Sequence, residues 1–466
     1  MIKANNIFVK KTQILITMVL FILLFTLFLL SNFVLEATQF NICSIIIFLI
    51  SFSILGGSIN SIYKNGIKSY NLFFLIFNFF LLLNTFNLLD IQVEKNWVDL
   101  YYFFVGQILY GGCLFYGESR FFALGDQKKI KKINLISTRH LMIVLLVLYI
   151  IVNIIYFRRV GIRLLAKEVF SMDTSWNEEK YSIGGLNGIL FMLSWLLMLF
   201  SQYLDRKKSV IILVLVCFCQ GVLMFKRGDL IRFMLFFSIS ALISKKNNVI
   251  SKKRLKKIFL YGMLVLFVFV VMGEYRQYRR DIVLGGRHVF DISTMLKGKI
   301  DNKYLNWLLG YTSINFDALK QYVISTATFR GIRGVFLPIT RFVLGWDSVQ
   351  SYYNEIAVVT TNWKGFATTF LCNSIFDMSS FYIVEIILLG MITAFFISLC
   401  KKYNMSNVYK FLLYLISLNI FGDYFSTSLS YVVIIFSVIL NFVLIDVNLQ
   451  GNYRNKEVNR VRKNVS

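Results

Sequence analysis

Residues 140–157 read HLMIVLLVLYIIVNIIYF and contain no Asp, Glu, Lys or Arg. A helix needs about 20 apolar residues to cross the hydrocarbon core of a bilayer. A strand of a membrane barrel would alternate apolar and polar residues, which this stretch does not do. The stretch therefore predicts a transmembrane helix, which closes its own backbone hydrogen bonds in lipid.

Similar stretches recur along the chain and set the predicted fold class. They cover residues 13–35, 41–60, 70–90, 97–117, 183–203, 209–225, 229–244, 257–274, 380–400, 408–422 and 428–446. The 466 residues are 57% hydrophobic, whereas soluble domains are about 45–50% apolar. These patterns predict an all-α, polytopic integral membrane bundle of about twelve transmembrane helices.

The basic residues predict which side of the membrane each loop occupies. Cytoplasmic loops are enriched in Lys and Arg. Basic runs at 128–132 and 252–257 lie in the loops after the fourth and the eighth predicted spans, which are on the same side of the membrane. With the N-terminus inside, every predicted inner segment is basic, so both termini are expected in the cytoplasm. The net charge of +26 then reflects topology, and no nucleic-acid partner is expected. The stretch 13–35 is too long for a signal-peptide core and is expected to remain as a helix.

The predicted spans divide the chain into four regions. Residues 1–274 form the first part of the bundle, 275–379 an extracytoplasmic segment, 380–446 the second part, and 447–466 a basic cytoplasmic tail. Apolar residues in the outer segment recur at helical spacing, with Asp317 and Lys320 on other faces: Leu305, Leu308, Leu309, Phe316, Leu319 and Val323. We expect amphipathic helices that lie on the membrane surface or cap the bundle.

Lysine and arginine divide differently between the two sides. Lysine lies mostly in the inner segments, whereas arginine lies mostly in the outer ones, where the topology rule predicts depletion. The planar guanidinium matches the oxygens of phosphate and carboxylate, so the outer arginines predict an anionic ligand. The candidate binding residues are Arg158, Arg159, Arg163, Arg227, Asp229, Arg232, Arg276, Arg279, Arg280, Arg287, Arg330, Arg333 and Arg341.

These clusters also have simpler interpretations, which the sequence leaves open. Arg158, Arg159 and Arg163 follow a span and could contact lipid headgroups alone. In the turn 226–232, Gly228 permits chain reversal, and Asp229 could pair with Arg232 to fix a hairpin. Glycines beside Arg330 and Arg333 indicate a turn that presents two guanidiniums, without the Lys-Ser of a phosphate-binding loop.

Three residues are candidates for proton transfer. His288 is the only histidine predicted on the outer side, and a neutral imidazole beside a carboxylate suits a general base. Glu274 ends the ninth predicted span. Glu385 falls inside the tenth, where a carboxylate is costly, so an ion pair with an outer-leaflet arginine such as Arg232 is expected. The sequence has no zinc, Walker or GxSxG motif, and neither a metal nor a nucleotide cofactor is expected.

One region resembles a known family. Residues 224–246 read MFKRGDLIRFMLFFSISALISKK, and after a Lys-rich inner loop the next span ends GEYRQYRR at 273–280. This pattern, with the overall topology, resembles the Wzy-type polymerases of bacterial O-antigen and capsule assembly. In that family an Arg-Gly turn often precedes a span and an Arg follows the next one. Arg227 and Arg276 occupy those positions.

The resemblance implies a glycosyltransferase of polysaccharide biosynthesis in the bacterial cytoplasmic membrane. A growing glycan on undecaprenyl diphosphate would pass to a lipid-linked repeat unit at the outer leaflet. Arg227, Arg232, Arg276 and Arg280 would stabilise the diphosphate leaving group, and His288 or an outer acid would accept the hydroxyl proton. The implied partners are undecaprenyl-diphosphate-linked oligosaccharides, membrane lipids, a chain-length regulator and a flippase.

Two other functions remain open at this stage. A lipid-linked oligosaccharide flippase or transporter suits a dozen spans, although a long outer segment serves no transport step. The second is an O-antigen ligase-type glycan transferase. Such ligases usually carry an outer-loop histidine, for which His288 is the candidate in this chain.

Overall fold

A computed structural model describes much of the chain, and every structural statement below concerns these residues. They are 42–86, 95–119, 136–162, 186–224, 227–243, 260, 267, 271, 315–317, 319–324, 327–336, 351–352, 355, 369–403, 405–419 and 428–445. This part of the chain is helical apart from two short strands, β1 (Ile136–Ser137) and β2 (Leu444–Ile445), which pair in parallel. The predicted span 13–35 and most of 257–274 lie outside the described residues.

Helices occupy the other predicted spans, and one more helix, Leu371–Met378, lies in the predicted outer segment. They are α1 (Ile42–Asn65), α2 (Ser69–Thr85), α3 (Trp97–Ser119, with a π-turn at Tyr101–Val105), α4 (Thr138–Val160), α5 (Leu186–Ser201), α6 (Arg206–Val216, continued by a π-helix at Cys217–Leu223), α7 (Arg227–Ile243), α8 (Leu371–Met378), α9 (Tyr382–Lys402), α10 (Ser406–Ser417) and α11 (Ser428–Val443). Outside the predicted spans, a π-helix at Leu319–Ile324 and a 3-10 turn at Gly334–Phe336 lie in the predicted outer segment.

Four of these segments are long and apolar enough to cross a membrane: Ile42–Asn65, Trp97–Ser119, Thr138–Arg159 and Leu371–Lys402. Helix α4 shows why. Its polar Asn153 is buried, while Ile143, Val147 and Ile154 are each about half exposed on the outside of the fold. An apolar face turned outward suits lipid, because lipid tails do not penalise exposed hydrocarbon as water does. The chain is therefore a helical membrane protein.

Helix ends that are predicted on the inner side meet in the structure. The carboxylate of Glu118, at the end of α3, accepts hydrogen bonds from the Ser69 backbone N–H at 2.9 Å and the Tyr409 hydroxyl at 2.6 Å, and it pairs with Lys401. These partners belong to α2, α10 and α9. The four ends therefore lie on one side of the bundle, as the alternation of loops predicts.

Helices α3 and α9 approach closely through small residues. A Cβ added to Gly117 would lie 2.8 Å from the Ala394 Cα, and one added to Gly390 would lie 2.8 Å from the Cys113 Cβ. Small residues let two backbones approach in a membrane, where dispersion contacts drive helix association. At the opposite end, Tyr382 donates a hydrogen bond to the Tyr101 carbonyl at 2.9 Å, so the predicted outer ends of α3 and α9 are also held together.

The segment around residue 319 differs in one respect from its prediction. Phe316, Leu319 and Val323 are buried, as the apolar spacing predicts. However, Asp317 and Lys320, which were expected on other faces of the helix, do not form a water-facing surface: Asp317 is fully buried and the Lys320 side chain is 14% exposed. Opposite charges at the start of α3 neutralise both side chains. The segment therefore packs on the ends of α2 and α3 and caps the bundle.

A candidate arginine–carboxylate site

The structure describes some of the predicted site residues. Arg158, Arg159, Asp229, Arg232, Arg330, Arg333 and Glu385 are described with their side chains, and Arg227 begins α7. The remaining candidates lie outside the described residues, where their roles stay predictions: Glu274, His288, Arg163, Arg276, Arg279, Arg280, Arg287 and Arg341.

The predicted clusters at the end of α4 and at the start of α7 interact with their own helices. Arg158 and Arg159 are exposed at the carboxyl end of α4, where the helix dipole favours cations. In α7, Arg232 donates to Asp229 at 3.0 Å, which confirms the expected pair one turn apart.

Two arginines from the predicted glycine turn meet the end of α8. The Arg330 backbone N–H donates to the Asp377 carbonyl at 2.6 Å, and its guanidinium donates to the Phe376 carbonyl at 3.0 Å. The same guanidinium lies 3.9 Å from the centre of the Phe376 ring. The last carbonyls of a helix lack intrahelical partners, so Arg330 satisfies two of them and fixes the turn on α8.

The Asp377 carboxylate organises the rest of this site. Its side chain is fully buried. Oδ2 accepts from the backbone N–H of Gly334 at 2.7 Å and of Arg333 at 3.1 Å, and from the Tyr352 hydroxyl at 3.2 Å. Oδ1 accepts from the Arg333 guanidinium at 3.4 Å. A buried carboxylate requires such partners, and here they hold the 330–336 turn in one conformation.

Arg333 also pairs with a second, partly exposed carboxylate. Its Nη1 and Nη2 donate to Oε1 and Oε2 of Glu355 at 3.3 and 3.0 Å, and its side chain is 35% exposed. Partial burial lowers the pKa of the Arg333 guanidinium, but the hydrogen bond to Glu355 and the charges of Asp377 and Glu355 outweigh it and raise the pKa above its ordinary value. The guanidinium therefore keeps its charge.

Tyr352 supports Arg333 from beneath. Its ring centre lies 5.0 Å from the Arg333 guanidinium carbon, within the range of a cation–π contact. Burial raises the pKa of the Tyr352 phenol far above its ordinary value, and the charges of Asp377 and Glu385 add to this effect. The phenol therefore stays protonated and donates a hydrogen bond to Asp377.

Glycine is required at two positions of the turn. Gly331 has a φ of 88°, a conformation that side chains with a Cβ rarely adopt. A Cβ on Gly334 would lie 2.8 Å from the Asn373 Cβ, 2.9 Å from Glu385 Oε1 and 3.1 Å from the Tyr352 hydroxyl.

Glu385 lies beside the same turn, because its Oε1 would be 2.9 Å from a Cβ on Gly334. The side chain is fully buried in the first turn of α9, where the helix dipole favours an acid. The expectation that Arg232 would be its partner is not supported: Arg232 pairs with Asp229, whereas Glu385 packs beside the turn at Gly334.

A backbone irregularity separates α8 from α9. Ser379 has φ 50° and ψ −122°, a conformation that costs a non-glycine residue about 1–3 kcal/mol. The break ends α8 immediately after Asp377 and begins a new helix three residues before Glu385. Both acids consequently face the same turn.

A second ionic cluster lies at the same end of the bundle. Lys95 pairs with Asp317, to which Asn84 also donates a hydrogen bond, and Lys320 pairs with Asp99 at 2.9 Å. All four charged side chains are at most 14% exposed. The sequence predicted none of these four as site residues, and it did not single out Tyr352, Glu355 or Asp377, because the partners of these residues are distant in the chain. A signal for these residues was nevertheless present, because an acid or a lysine beside a predicted outer helix end indicates a possible ion pair there.

The fold and this site define a helical membrane protein with an arginine–carboxylate cluster at one end of the bundle. Comparison with family models, with curated proteins and with solved structures found no match. Within the described ranges, no group of three His, Cys, Asp or Glu residues is placed to hold a metal ion. The Arg333 guanidinium is a group that can bind an anion, and carboxylates are groups that can accept a proton.

Proposed function

We propose that this chain is a polymerase of O-antigen or capsular polysaccharide that works in the bacterial cytoplasmic membrane. About twelve helices would cross the membrane, with both termini in the cytoplasm and the Arg333 cluster at the outer leaflet. The growing glycan on undecaprenyl diphosphate would be transferred to a lipid-linked repeat unit. The resemblance of residues 224–246 and 273–280 to Wzy-type polymerases supports this proposal.

The observation that carries the proposal is the geometry of Arg333. Its Nη2 donates to the buried Asp377 at 3.4 Å as well as to Glu355 at 3.0 Å, and the Arg333 side chain is still 35% exposed. Donors that are oriented before the reaction stabilise developing negative charge without reorganisation. Such a guanidinium suits the oxygens of a diphosphate leaving group.

The reaction needs only side chains of the kinds present. The acceptor hydroxyl attacks the anomeric carbon of the donor glycan, the bond from that carbon to the diphosphate oxygen breaks, and the diphosphate leaves with the electron pair. Arg333 would act with Arg227, Arg232, Arg276 and Arg280 on the developing charge. A carboxylate or imidazole accepts the hydroxyl proton, for which Glu274, His288 and Glu385 are the candidates.

Deletion of the gene tests the proposal against its competitors. A polymerase predicts that the deletion strain displays single repeat units without polymer, and that wild-type protein restores the polymer. An accumulation of lipid-linked polymer would identify a ligase instead. Complementation with Arg333→Ala, at wild-type protein level in the membrane, should leave single units. Normal polymer with this variant would refute the role of Arg333.

A flippase is the second candidate, and one feature favours it. Near the middle of α4, the Tyr149 hydroxyl lies beside the buried polar side chains of Asn153, Ser194 and Gln220. Polar groups at the bilayer midplane are typical of transport sites. A flippase predicts that the deletion strain displays neither polymer nor single repeat units, whereas a polymerase predicts that single units remain.

A further inference from the structure

Arg333 has two carboxylate partners that differ in character. Asp377 is fully buried and is held by three further donors besides the Arg333 guanidinium. Glu355 is 42% exposed, and the hydrogen bonds described for it are the two from Arg333. One partner therefore belongs to the interior of the site, and the other lies at its opening.

Glu355 occupies the position that an anionic ligand would take. Its two oxygens accept from Nη1 and Nη2 in a fork, as two oxygens of a phosphate group do. Partly exposed ion pairs contribute little to stability because water and salt compete with them, so this contact can be exchanged. Asp377 and the Tyr352 ring would keep the guanidinium in place during the exchange.

We infer that Glu355 is an exchangeable carboxylate that covers Arg333 in the ligand-free protein and is displaced by phosphate-class oxygens. The inference rests on the proposed function in taking a lipid diphosphate as the natural ligand. The same chemistry would also admit free pyrophosphate. Glu355 would thus set the affinity of the site, because every incoming ligand must displace it.

Binding measurements on the full chain in nanodiscs test this exchange. The probes are farnesyl diphosphate, inorganic pyrophosphate and, as the uncharged control, farnesol. Glu355→Gln keeps the size of the side chain but removes its charge, so the Kd for a diphosphate probe should fall roughly two- to fivefold. The matched control is Asp205→Asn, which neutralises an exposed acid beside Lys208 outside this site and should leave the Kd unchanged.

The outcomes separate the possible ligand sources. Tighter binding of farnesyl diphosphate alone supports a lipid headgroup, and equal tightening for pyrophosphate supports the phosphate group itself. Adding Arg333→Ala to the Glu355→Gln variant should abolish the gain. An unchanged or weaker Kd in Glu355→Gln, or no binding of either diphosphate, would overturn the inference. If Glu355→Gln tightens binding but the deletion strain keeps its polymer, the anion site stands and the polymerase proposal fails.

Discussion

Two ionic clusters at the same end of the bundle are built from the same kinds of side chain but have opposite designs. In the first, Lys95 pairs with Asp317 and Lys320 pairs with Asp99, and all four side chains are at most 14% exposed. In the second, Arg333 lies between the buried Asp377 and the half-exposed Glu355. We call the first cluster closed, because it is at most 14% exposed, and the second open, because Arg333 and Glu355 in it are 35% and 42% exposed.

This difference assigns the two clusters separate roles. A closed pair of buried ions contributes little as a pair, but removing one partner leaves a costly buried charge. The Lys95–Asp317 cluster should therefore act on folding, by joining the segment around residue 319 to α2 and α3. The open cluster can change its partner without burying an unpaired charge, so its residues should act on ligand binding.

The largest expected effect is in the closed cluster. Asp317→Ala leaves Lys95 buried without its carboxylate, which should lower the free energy of unfolding by about 3–5 kcal/mol. We expect little folded protein, measured by size-exclusion chromatography and thermal unfolding in detergent. The double variant Lys95→Met with Asp317→Leu should recover most of the loss. A stable Asp317→Ala protein would show that this pair does not hold the cap.

The next effect is at the buried side of the open cluster. Asp377→Asn removes the charge that holds Arg333 while it keeps an acceptor, so the loss should be about 1.5–3 kcal/mol. Because Arg333 also loses its orientation, polymer formation should fall by more than the loss of stability, measured as the shift of the thermal midpoint, would explain. Gel profiles of surface polysaccharide at matched protein level measure this. Wild-type polymer would mean that Asp377 does not orient a functional guanidinium.

Substitutions at two glycines, Gly334 and Gly112, test how tightly the turn of the open cluster is packed. Gly334→Ala places a Cβ within 3 Å of Asn373 and Glu385, which should destabilise the protein by about 1–3 kcal/mol and disturb Arg333. Gly112→Ala in α3 meets nothing within 4 Å and should stabilise by about 0.5–1 kcal/mol. Thermal unfolding of both variants provides the check. Equal effects at the two positions would contradict the tight packing of the turn.

The smallest expected effect is at Ser379, between the two buried acids. Ser379→Gly allows the φ of 50° without a Cβ, so the protein should be more stable by about 1 kcal/mol. A shift of the thermal midpoint upward, with unchanged polymer, is the expected result. A downward shift would show that the serine side chain contributes more than the backbone strain costs.

Local patterns predicted most of the described helices and one ion pair, although α8 lies in the segment predicted to be an outer loop. The apolar stretches locate the helices because lipid exposure requires continuous apolar surface, and Asp229 and Arg232 pair because they lie one turn apart. The Arg333–Asp377 contact joins residues 44 positions apart, and Lys95–Asp317 joins residues 222 apart. No periodicity reports such contacts, since tertiary packing alone decides them. The expected pairing of Glu385 with an outer-leaflet arginine such as Arg232 is likewise a tertiary contact, and Arg232 pairs with Asp229 instead.

The polymer made by Arg333→Lys, in a strain that lacks the wild-type gene, tests whether transfer needs the fork of Arg333. Lysine keeps the charge but cannot donate two parallel hydrogen bonds to neighbouring oxygens. We expect single repeat units with this variant and full-length polymer with the Lys95→Met, Asp317→Leu variant, both at wild-type protein level. Full-length polymer from Arg333→Lys would contradict this expectation, because the fork of Arg333 would then not be needed for transfer.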